Sequence, residues 1–396
     1  MQSLFILGRQ PTLGLAELES LYGAEKLKPV GPSAALLDIE PALVNFNRLG
    51  GSIKIALVQT ELPTTSWRDI ETYLIKSIPS ILKSLPDGKF KLGLSTYGLR
   101  ARVSEINASG LRLKKVIKEA GRSVRIIPNK TSSLNSAQVL HNQLTTELGL
   151  EIVAYRNGGK TLICQTIAEQ DIEAYSNRDQ NRPKRDAKVG MLPPKLAQII
   201  INLTAPSDGS TVLDPFCGTG VVLQEALLMS YEVYGTDIEQ RMIEYSRANL
   251  DWLHQRQDGN FGIRLEVGDA TTHTWFKPST LCPLPSALAI ACETYLGKPL
   301  SKEPDENLLH AIMQECDRIH RGFLSNASKQ LPKGTRLCLA VPAWKLRKGF
   351  QHLKTLDYLR ELGYTRKEFR FAKPSDLIYF REDQFVAREM VVLVKN

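Results

Sequence analysis

The sequence has no apolar run that reaches the ~18 residues needed to cross a bilayer. Its first nine residues lack the basic stretch and the long apolar stretch of a secretory signal, so we expect no signal peptide and a cytoplasmic protein. The 396 residues are long enough for two or three domains, and a hydrophobic content of 42% supports well-developed cores.

The sequence also lacks paired cysteines. Its six cysteines show no CxxC spacing, which argues against a zinc site and against a disulfide framework. We therefore expect reduced thiols and no bound metal. The cysteines are Cys164, Cys217, Cys282, Cys292, Cys316 and Cys338.

The net charge of +9 is concentrated in one region. Residues 81–130 carry 12 Lys and Arg against 3 Asp and Glu, and the other 346 residues balance at 39 of each sign. An excess of positive charge that is confined to one region indicates a nucleic-acid partner more strongly than the same excess spread over the chain. The alternative is a solvated basic face without a ligand.

One stretch organises the chain. An apolar strand over residues 211–214 ends in Asp214, a Gly-rich turn follows, and a helix is predicted from 221 to 229. The next predicted strand ends in Asp237, about 20 residues past the glycines, where a carboxylate commonly binds ribose hydroxyls. This spacing favours a nucleoside cofactor, and the alternative is an ordinary strand–turn–helix.

The run Asp-Pro-Phe-Cys-Gly-Thr-Gly from Asp214 to Gly220 resembles motif I of the S-adenosylmethionine-dependent RNA and DNA amino-methyltransferases. The resemblance implies S-adenosylmethionine as the cofactor, with the turn passing its methionine part. It also implies that Asp237 holds the ribose and that Ile238 packs on the adenine. The implied contacts of the turn are Asp214, Pro215, Phe216, Gly218 and Gly220.

One further strand end and a segment before motif I belong to the same prediction. By resemblance, Asp269 faces the adenine amino group and Ala270 supplies backbone, although Asp269 could instead cap the next helix. Before motif I, Gly-Met-Leu-Pro-Pro-Lys-Leu-Ala resembles a segment that closes over the methionine end. Leu192 and Lys195 are its candidate contacts, and the alternative is a simple connector.

Strands and helices alternate from residue 193 to 396, with a predicted helix at 353–362 and a closing hairpin. This order predicts an α/β class I (Rossmann-like) methyltransferase domain with a doubly wound, seven-stranded sheet and an antiparallel last strand. Residues 171–192 are predicted to form a linker.

The preceding residues predict an α+β region. Residues 1–62 resemble an N-terminal ferredoxin-like domain, and residues 63–170 resemble a THUMP domain. The resemblance to a THUMP domain implies binding to tRNA. Helices are predicted at 43–49, 109–120 and 136–148, the second with Leu111, Val116, Ile117 and Ala120 on its core face. The candidate phosphate contacts are Arg100, Arg102, Lys114, Lys115, Lys118, Arg122, Arg125 and Lys130.

The catalytic position departs from the family. Amino-methyltransferases of this type usually carry Asp/Asn-Pro-Pro-Tyr after the fourth strand, and this chain has Glu293-Thr294-Tyr295-Leu296 without prolines. Glu293 could accept hydrogen bonds from an exocyclic amine, and Tyr295 could stack on an extruded base. Alternatively, Glu293 caps the turn and Tyr295 packs in the core.

Over about residues 65–396 the chain resembles THUMP-containing tRNA guanosine N2-methyltransferases of the guanosine-ten type. We therefore expect methyl transfer to the exocyclic N2 of a guanosine in tRNA. The alternatives are a DNA adenine-N6 methyltransferase and a catalytically impaired RNA-binding protein with a methyltransferase fold.

Overall fold

The computed structural model describes residues 1–83, 85–186, 191–256, 262–276, 285, 287–298, 304–347, 349–382 and 384–396. The chain forms two compact units. The first contains Met1–Pro11, Glu25–Asn47 and Ser52–Ala174, and the second contains Thr12–Ala24, Arg48–Gly51 and Tyr175–Asn396. Among the described helices, none is both long and apolar enough to cross a membrane.

The first unit is built on one eight-stranded sheet, in the order β2-β3-β1-β4-β8-β7-β5-β6. Its strands are β1 (Ser3–Leu7), β2 (Leu27–Val30), β3 (Ala34–Leu37), β4 (Ser52–Leu62), β5 (Phe90–Tyr97), β6 (Val124–Ile126), β7 (Gly149–Asn157) and β8 (Lys160–Glu169). Because β4 pairs antiparallel with β8, the sheet runs through both of the predicted N-terminal regions.

The first four helices are α1 (Pro11–Tyr22), α2 (Trp67–Lys83), α3 (Val103–Glu119) and α4 (Ser136–His141). From Thr12 onward, α1 groups with the second unit. Helix α2 buries Ile70, Leu74 and Ile78, a spacing of four residues that places them on one face.

The predicted core face of helix α3 differs from the face that is buried in the structure. The helix begins at Val103 instead of residue 109, and its buried face contains Ile106, Leu113 and Ile117. Of the predicted core residues, Leu111 is 64% exposed. Gly110 allows close packing on β6, because a Cβ there would lie 2.8 Å from Ile126 Cγ2.

Three other predicted helices differ from the structure. Residues 43–49 and 353–362 contain only 3-10 turns, at Pro41–Leu43, Phe46–Arg48 and Lys354–Tyr358. In the later segment, Asp317 Oδ1 accepts hydrogen bonds from Thr355 N and Oγ1, which compete with helical bonding. The predicted helix 136–148 stops at His141 because Gln143 adopts a left-handed φ of 56°.

The second unit carries a sheet whose main path is β11-β10-β9-β12-β13-β17-β15. Its helices are α5 (Ile172–Gln180), α6 (Pro194–Leu203), α7 (Val221–Leu228), α8 (Gln240–His254) and α9 (Glu306–Ser328). Its strands are β9 (Thr211–Asp214), β10 (Glu232–Asp237), β11 (Ile263–Val267), β12 (Leu288–Glu293), β13 (Arg336–Leu346), β14 (Gly349–Gln351), β15 (Tyr364–Arg366), β16 (Ile378–Tyr379) and β17 (Val386–Lys395).

This sheet has the predicted doubly wound plan. Strands β11, β10, β9, β12 and β13 are parallel, and β17 inserts antiparallel between β13 and β15. Successive residues of β9 enter opposite cores, since Val212 packs with α6 and α7 while Leu213 packs with α9. Both faces of the central strands are therefore covered, which explains their continuous apolar sequence.

Candidate active site

Three carboxylates end three neighbouring parallel strands of the second unit. Asp214 is the last residue of β9, Asp237 of β10 and Glu293 of β12. The carboxyl ends of parallel strands meet at one edge of a sheet, so these side chains face one space. That space is a cavity of about 360 Å³, whose lining includes Leu192, Asp214, Phe216, Gly218, Asp237, Ile238, Glu293, Tyr295 and Lys298.

The turn after β9 is shaped by two glycines with left-handed backbone. Gly218 has a φ of 48° and Gly220 a φ of 82°. At Gly220 a Cβ would lie 2.9 Å from Ser246 Oγ of α8, so the turn packs closely on that helix. At Gly218 the nearest atom to an added Cβ is 4.0 Å away, and this residue lines the cavity. Gly220 thus allows the turn to pack against α8, and Gly218 leaves the cavity side of the turn open to a ligand.

Asp237 links this turn to the next strand. Its Oδ2 accepts a hydrogen bond from Gly218 N at 2.9 Å, and its Oδ1 accepts one from Glu239 N at 3.0 Å. Burial raises the pKa of Asp237, while these bonds and the one to Ile238 N oppose that rise. The following residue, Ile238, is 67% exposed and lines the cavity, where it offers an apolar surface.

Asp214 lies deeper than Asp237. It is buried, and its Oδ1 accepts a hydrogen bond from Phe216 N at 3.0 Å. Burial raises the pKa of Asp214 well above its ordinary value, and the charges of Asp237 and Glu293 add to that rise. The ring of Phe216 lines the cavity and meets Phe323 of α9 edge-on at 5.2 Å.

Glu293 is held by an arginine that sequence reasoning missed. Arg388 of β17 donates a hydrogen bond from Nε to Glu293 Oε1 and forms an ion pair with it. Burial raises the pKa of Glu293, and the Arg388 guanidinium opposes that rise. One signal was available, because Arg388 interrupts the apolar strand 385–393 at a position where a charge requires a buried partner.

The turn after Glu293 is fixed by a buried hydrogen-bonded pair. Thr294 Oγ1 lies 2.6 Å from His320 Nε2 of α9, and Thr294 N donates to Ala340 O at 3.1 Å. His320 Nδ1 lies 2.6 Å from Cys316 O, where it can only donate. Burial lowers the pKa of His320 to about 4, so the neutral ring leaves Nε2 to accept from Thr294.

The ring of Tyr295 lines the cavity, and its hydroxyl donates to Glu315 Oε2 at 3.4 Å. Burial and the nearby Glu315 raise the pKa of Tyr295 to about 12. The phenol therefore stays protonated near neutral pH and is tied to α9, while the ring faces the cavity.

Several predicted contacts are not among the described residues that line this cavity: Pro215, Gly220, Asp269, Ala270 and Lys195. Asp269 Oδ1 accepts from Thr271 N and Oγ1, both at 2.8 Å, so it stabilises its own turn. The Lys195 ammonium lies 5.0 Å from the ring centre of Tyr175. For these residues cofactor contact stays a prediction.

The predicted RNA-binding residues all lie in the first unit. Arg122 differs from the others, since its guanidinium donates to the carbonyl oxygens of Leu82, Leu85, Pro86 and Gly88 and holds the loop before β5. Lys114 is half-buried. The remaining six side chains are exposed: Arg100, Arg102, Lys115, Lys118, Arg125 and Lys130.

A second cavity, of about 700 Å³, also lies in the first unit. Four arginines line it with Trp67, namely Arg68, Arg100, Arg112 and Arg156. Arg112 pairs with Glu71, and Glu105 also contributes to the lining, so the cavity is polar but not uniformly basic.

Within the described part of the chain, no cluster of three or more His, Cys, Asp or Glu side chains could hold a metal. Five cysteines are free and buried there, and Cys282 lies outside the described residues.

Sequence comparison finds related proteins for part of the chain. A family model described as DNA methylase matches residues 102–248. The chain is 31% identical over 153 residues to a tRNA (guanine(10)-N2)-dimethyltransferase of Methanothermobacter thermautotrophicus, which is 39% of each protein. It is 41% identical over 83 residues to the protein of that name from Pyrococcus abyssi, which is 20% of this chain and 22% of the relative. The aligned part thus spans about two-fifths or less of these relatives.

Structural comparison covers the whole chain. The crystal structure of TrmN from Thermus thermophilus matches 100% of both chains, with a TM-score of 0.50 and 19% identity. The predicted fold class is confirmed by this likeness and by the strand order described above. The resemblance to tRNA guanosine N2-methyltransferases is confirmed as a sequence similarity over part of the chain. The THUMP assignment stays a prediction.

The buried His320 predicts a pH-dependent stability. Its pKa is about 4 in the folded protein and ordinarily 6.5, so below pH 6.5 the unfolded chain takes up a proton that the folded chain does not. His320 should therefore cost about 1.4 kcal/mol of stability per pH unit between pH 6.5 and 4.

Replacing His320 with Gln removes this titration. In urea unfolding, we expect the stability advantage of the wild type over the His320→Gln variant to shrink steadily from pH 7 to pH 4. Other titrating groups are common to both proteins and cancel in the comparison. A difference that stays constant over this range would show that His320 takes up its proton at the same pH in the folded and the unfolded chain, so that burial does not lower its pKa.

Proposed function

We propose that this protein transfers the methyl group of S-adenosylmethionine to the exocyclic N2 of a guanosine in tRNA. The observation that carries the proposal is the meeting of Asp214, Asp237 and Glu293 at one cavity beside a Gly-rich turn. The sequence similarity to tRNA (guanine(10)-N2)-dimethyltransferases supports guanosine N2 as the target.

The cavity suits a nucleoside cofactor in size and chemistry. Its volume of about 360 Å³ falls within the ~300–1,000 Å³ usual for small-molecule sites. Asp237 offers carboxylate oxygens to ribose hydroxyls, and Ile238 offers an exposed apolar surface to a purine ring. The open space at Gly218 lets a ligand approach the turn closely. When bound, the cofactor supplies an electrophilic methyl group on a sulfonium.

Glu293 is the proposed acceptor for the proton of the target amine. An exocyclic amine is a poor nucleophile while its lone pair is delocalised into the purine. A carboxylate that accepts a hydrogen bond from the N–H of this amine favours a geometry in which the nitrogen lone pair is more reactive. As the N–C bond forms, the amine loses that proton to Glu293. Tyr295 supplies a ring at the cavity on which an extruded base can stack.

The first unit supplies the RNA-binding part in this proposal. We assign residues 1–62 to a ferredoxin-like domain, 63–170 to a THUMP-like domain, 171–192 to a linker that contains helix α5, and 193–396 to the methyltransferase domain. The excess of positive charge in residues 81–130 and the arginine-lined cavity support binding of phosphate-rich RNA. The protein acts in the cytoplasm in this proposal, where tRNA is its substrate.

A second candidate is methylation of adenine N6 in DNA, which the DNA methylase family model favours. A third is RNA binding without catalysis, because the chain lacks the two prolines of the usual catalytic turn. Tritium transfer from labelled cofactor to bulk tRNA and to genomic DNA separates the three. We expect label in tRNA only. Label in DNA supports the second candidate, and tRNA binding without transfer supports the third.

Cofactor affinity should depend on Asp237. Replacement with Ala leaves ribose hydroxyls unpaired, so we expect calorimetry to show binding of S-adenosylmethionine weakened by about 1–3 kcal/mol. Asp251→Ala is the matched control, since this carboxylate on α8 is exposed and does not line the cavity. An equal loss in the control would show that the loss in Asp237→Ala is not specific to the cavity. Unchanged affinity in folded Asp237→Ala would remove Asp237 from the site.

RNA binding should depend on helix α3. Changing Lys114, Lys115 and Lys118 to Gln should weaken tRNA binding and lower the salt slope by roughly 0.7–0.9 per lost phosphate contact. Cofactor affinity should stay the same. The control changes three exposed lysines outside the basic region, Lys333, Lys354 and Lys373, to Gln. If both triple variants bind tRNA alike, the α3 lysines do not form a specific RNA surface.

Turnover should depend on the charge of Glu293. Glu293→Gln keeps the size and one acceptor oxygen but removes the carboxylate that receives the proton. We expect single-turnover methyl transfer to fall roughly 10²–10³-fold, with little change in binding of tRNA or cofactor. Wild-type turnover in this variant would mean that Glu293 only shapes the turn.

A further inference from the structure

We propose that Arg388 is a positioning residue for methyl transfer, which holds one carboxylate oxygen of Glu293 so that the other faces the target amine. This inference rests on the proposed function of Glu293. It also explains how a catalytic turn without prolines can keep its acceptor in place.

The ion pair spans three strands. Strand β13 lies between β12 and β17, with Ala340 opposite Glu293 and Pro342 opposite Arg388. Residues two apart on a strand share a face, so Ala340 and Pro342 lie between the two charged residues on that face. The small side chain of Ala340 leaves room for the guanidinium to reach across β13. Because it starts from a different strand, Arg388 can orient the carboxylate without belonging to the turn.

The pair leaves one oxygen of Glu293 for a ligand. Arg388 donates through Nε to Oε1, while among the described residues none donates a hydrogen bond to Oε2. The Glu293 side chain is 15% exposed and lines the cavity, whereas the Arg388 side chain is 7% exposed. The arginine thus lies behind the carboxylate, and the accessible part of the pair is Glu293.

Several acidic groups surround Glu293. Asp214 of β9 and Asp237 of β10 are acidic neighbours at the same cavity, and Tyr295 brings Glu315 of α9 near the turn. From α9, His320 reaches Thr294 but is neutral, and β13 contributes the uncharged Ala340 and Pro342. Lys298 lines the cavity from the exposed end of the turn. Among these groups Arg388 alone pairs with Glu293.

A protonated Glu293 could not accept the proton of the target amine. The amine must lose a proton as the N–C bond forms and the S–C bond of the cofactor breaks, and only the ionised carboxylate can take it. Burial raises the pKa of Glu293 and favours the neutral form, while Arg388 favours the charged form. Loss of Arg388 should therefore move the ionisation of Glu293 to higher pH and free the carboxylate to rotate.

The test uses Arg388→Met in the full chain, with Arg366→Met as the matched control. Arg366 forms a comparable pair with Glu389 on the same sheet, at 2.7 Å, but does not contact Glu293. We expect Arg388→Met to lower single-turnover transfer to tRNA roughly 10- to 100-fold near neutral pH. The acid limb of its pH profile should move to higher pH, and Arg388→Lys should restore part of the rate. Arg366→Met should keep the wild-type profile even if it melts earlier.

A second readout does not need activity. The Glu293 carboxyl can be titrated by ¹³C NMR with labelled glutamate, its signal assigned by its absence in Glu293→Gln. We expect its pKa to be higher in Arg388→Met than in the wild type and in Arg366→Met. An unchanged pKa and an unchanged pH profile in folded Arg388→Met would overturn the inference. A raised pKa in a protein that transfers no methyl group to tRNA would retain Arg388 as the partner that orients Glu293 and reject the proposed function.

Discussion

The site depends on one constraint of parallel sheets, which is that the carboxyl ends of adjacent strands share an edge. In this chain β9, β10 and β12 are adjacent, and each ends in an acidic residue. Residues up to about 80 positions apart in sequence therefore meet around one cavity. Concentrating carboxylates there is costly, and the protein offsets the cost differently for each one.

Each carboxylate is stabilised by different donors. Asp214 accepts a hydrogen bond from a backbone N–H of the turn that follows it. Asp237 accepts one from its own following turn and one from Gly218 in the turn after β9, so backbone donors stabilise both carboxylates. Glu293 instead depends on a side chain from β17. In the proposed reaction, the two aspartates therefore belong to the cofactor side of the cavity and Glu293 to the acceptor side.

Much of this site could be predicted from sequence, because its determinants are local. Asp214, Gly218 and Asp237 follow from a strand, a tight turn and the next strand within 27 residues, a distance over which spacing carries structural information. The pairing of Arg388 with Glu293 could not be predicted in the same way, since it depends on where β17 enters the sheet. The predicted core face of α3 is wrong because Leu111 and Leu113 are both apolar, and only the packing of the helix shows that Leu113, on the same face as Ile106 and Ile117, is the one that points inward. The pairing of β4 with β8 is also nonlocal, so the sequence alone does not predict that one sheet runs through both N-terminal regions.

A crystal structure of the protein with S-adenosylhomocysteine would test the central claim most directly. We expect the ribose hydroxyls within hydrogen-bond distance of Asp237, the adenine against Ile238, and the sulfur on the side of the cavity that Glu293 lines. The Arg388–Glu293 pair should persist with one glutamate oxygen facing that space. A nucleoside bound away from Asp237, or a sulfur turned away from Glu293, would contradict the assignment of this cavity as the methyl-transfer site.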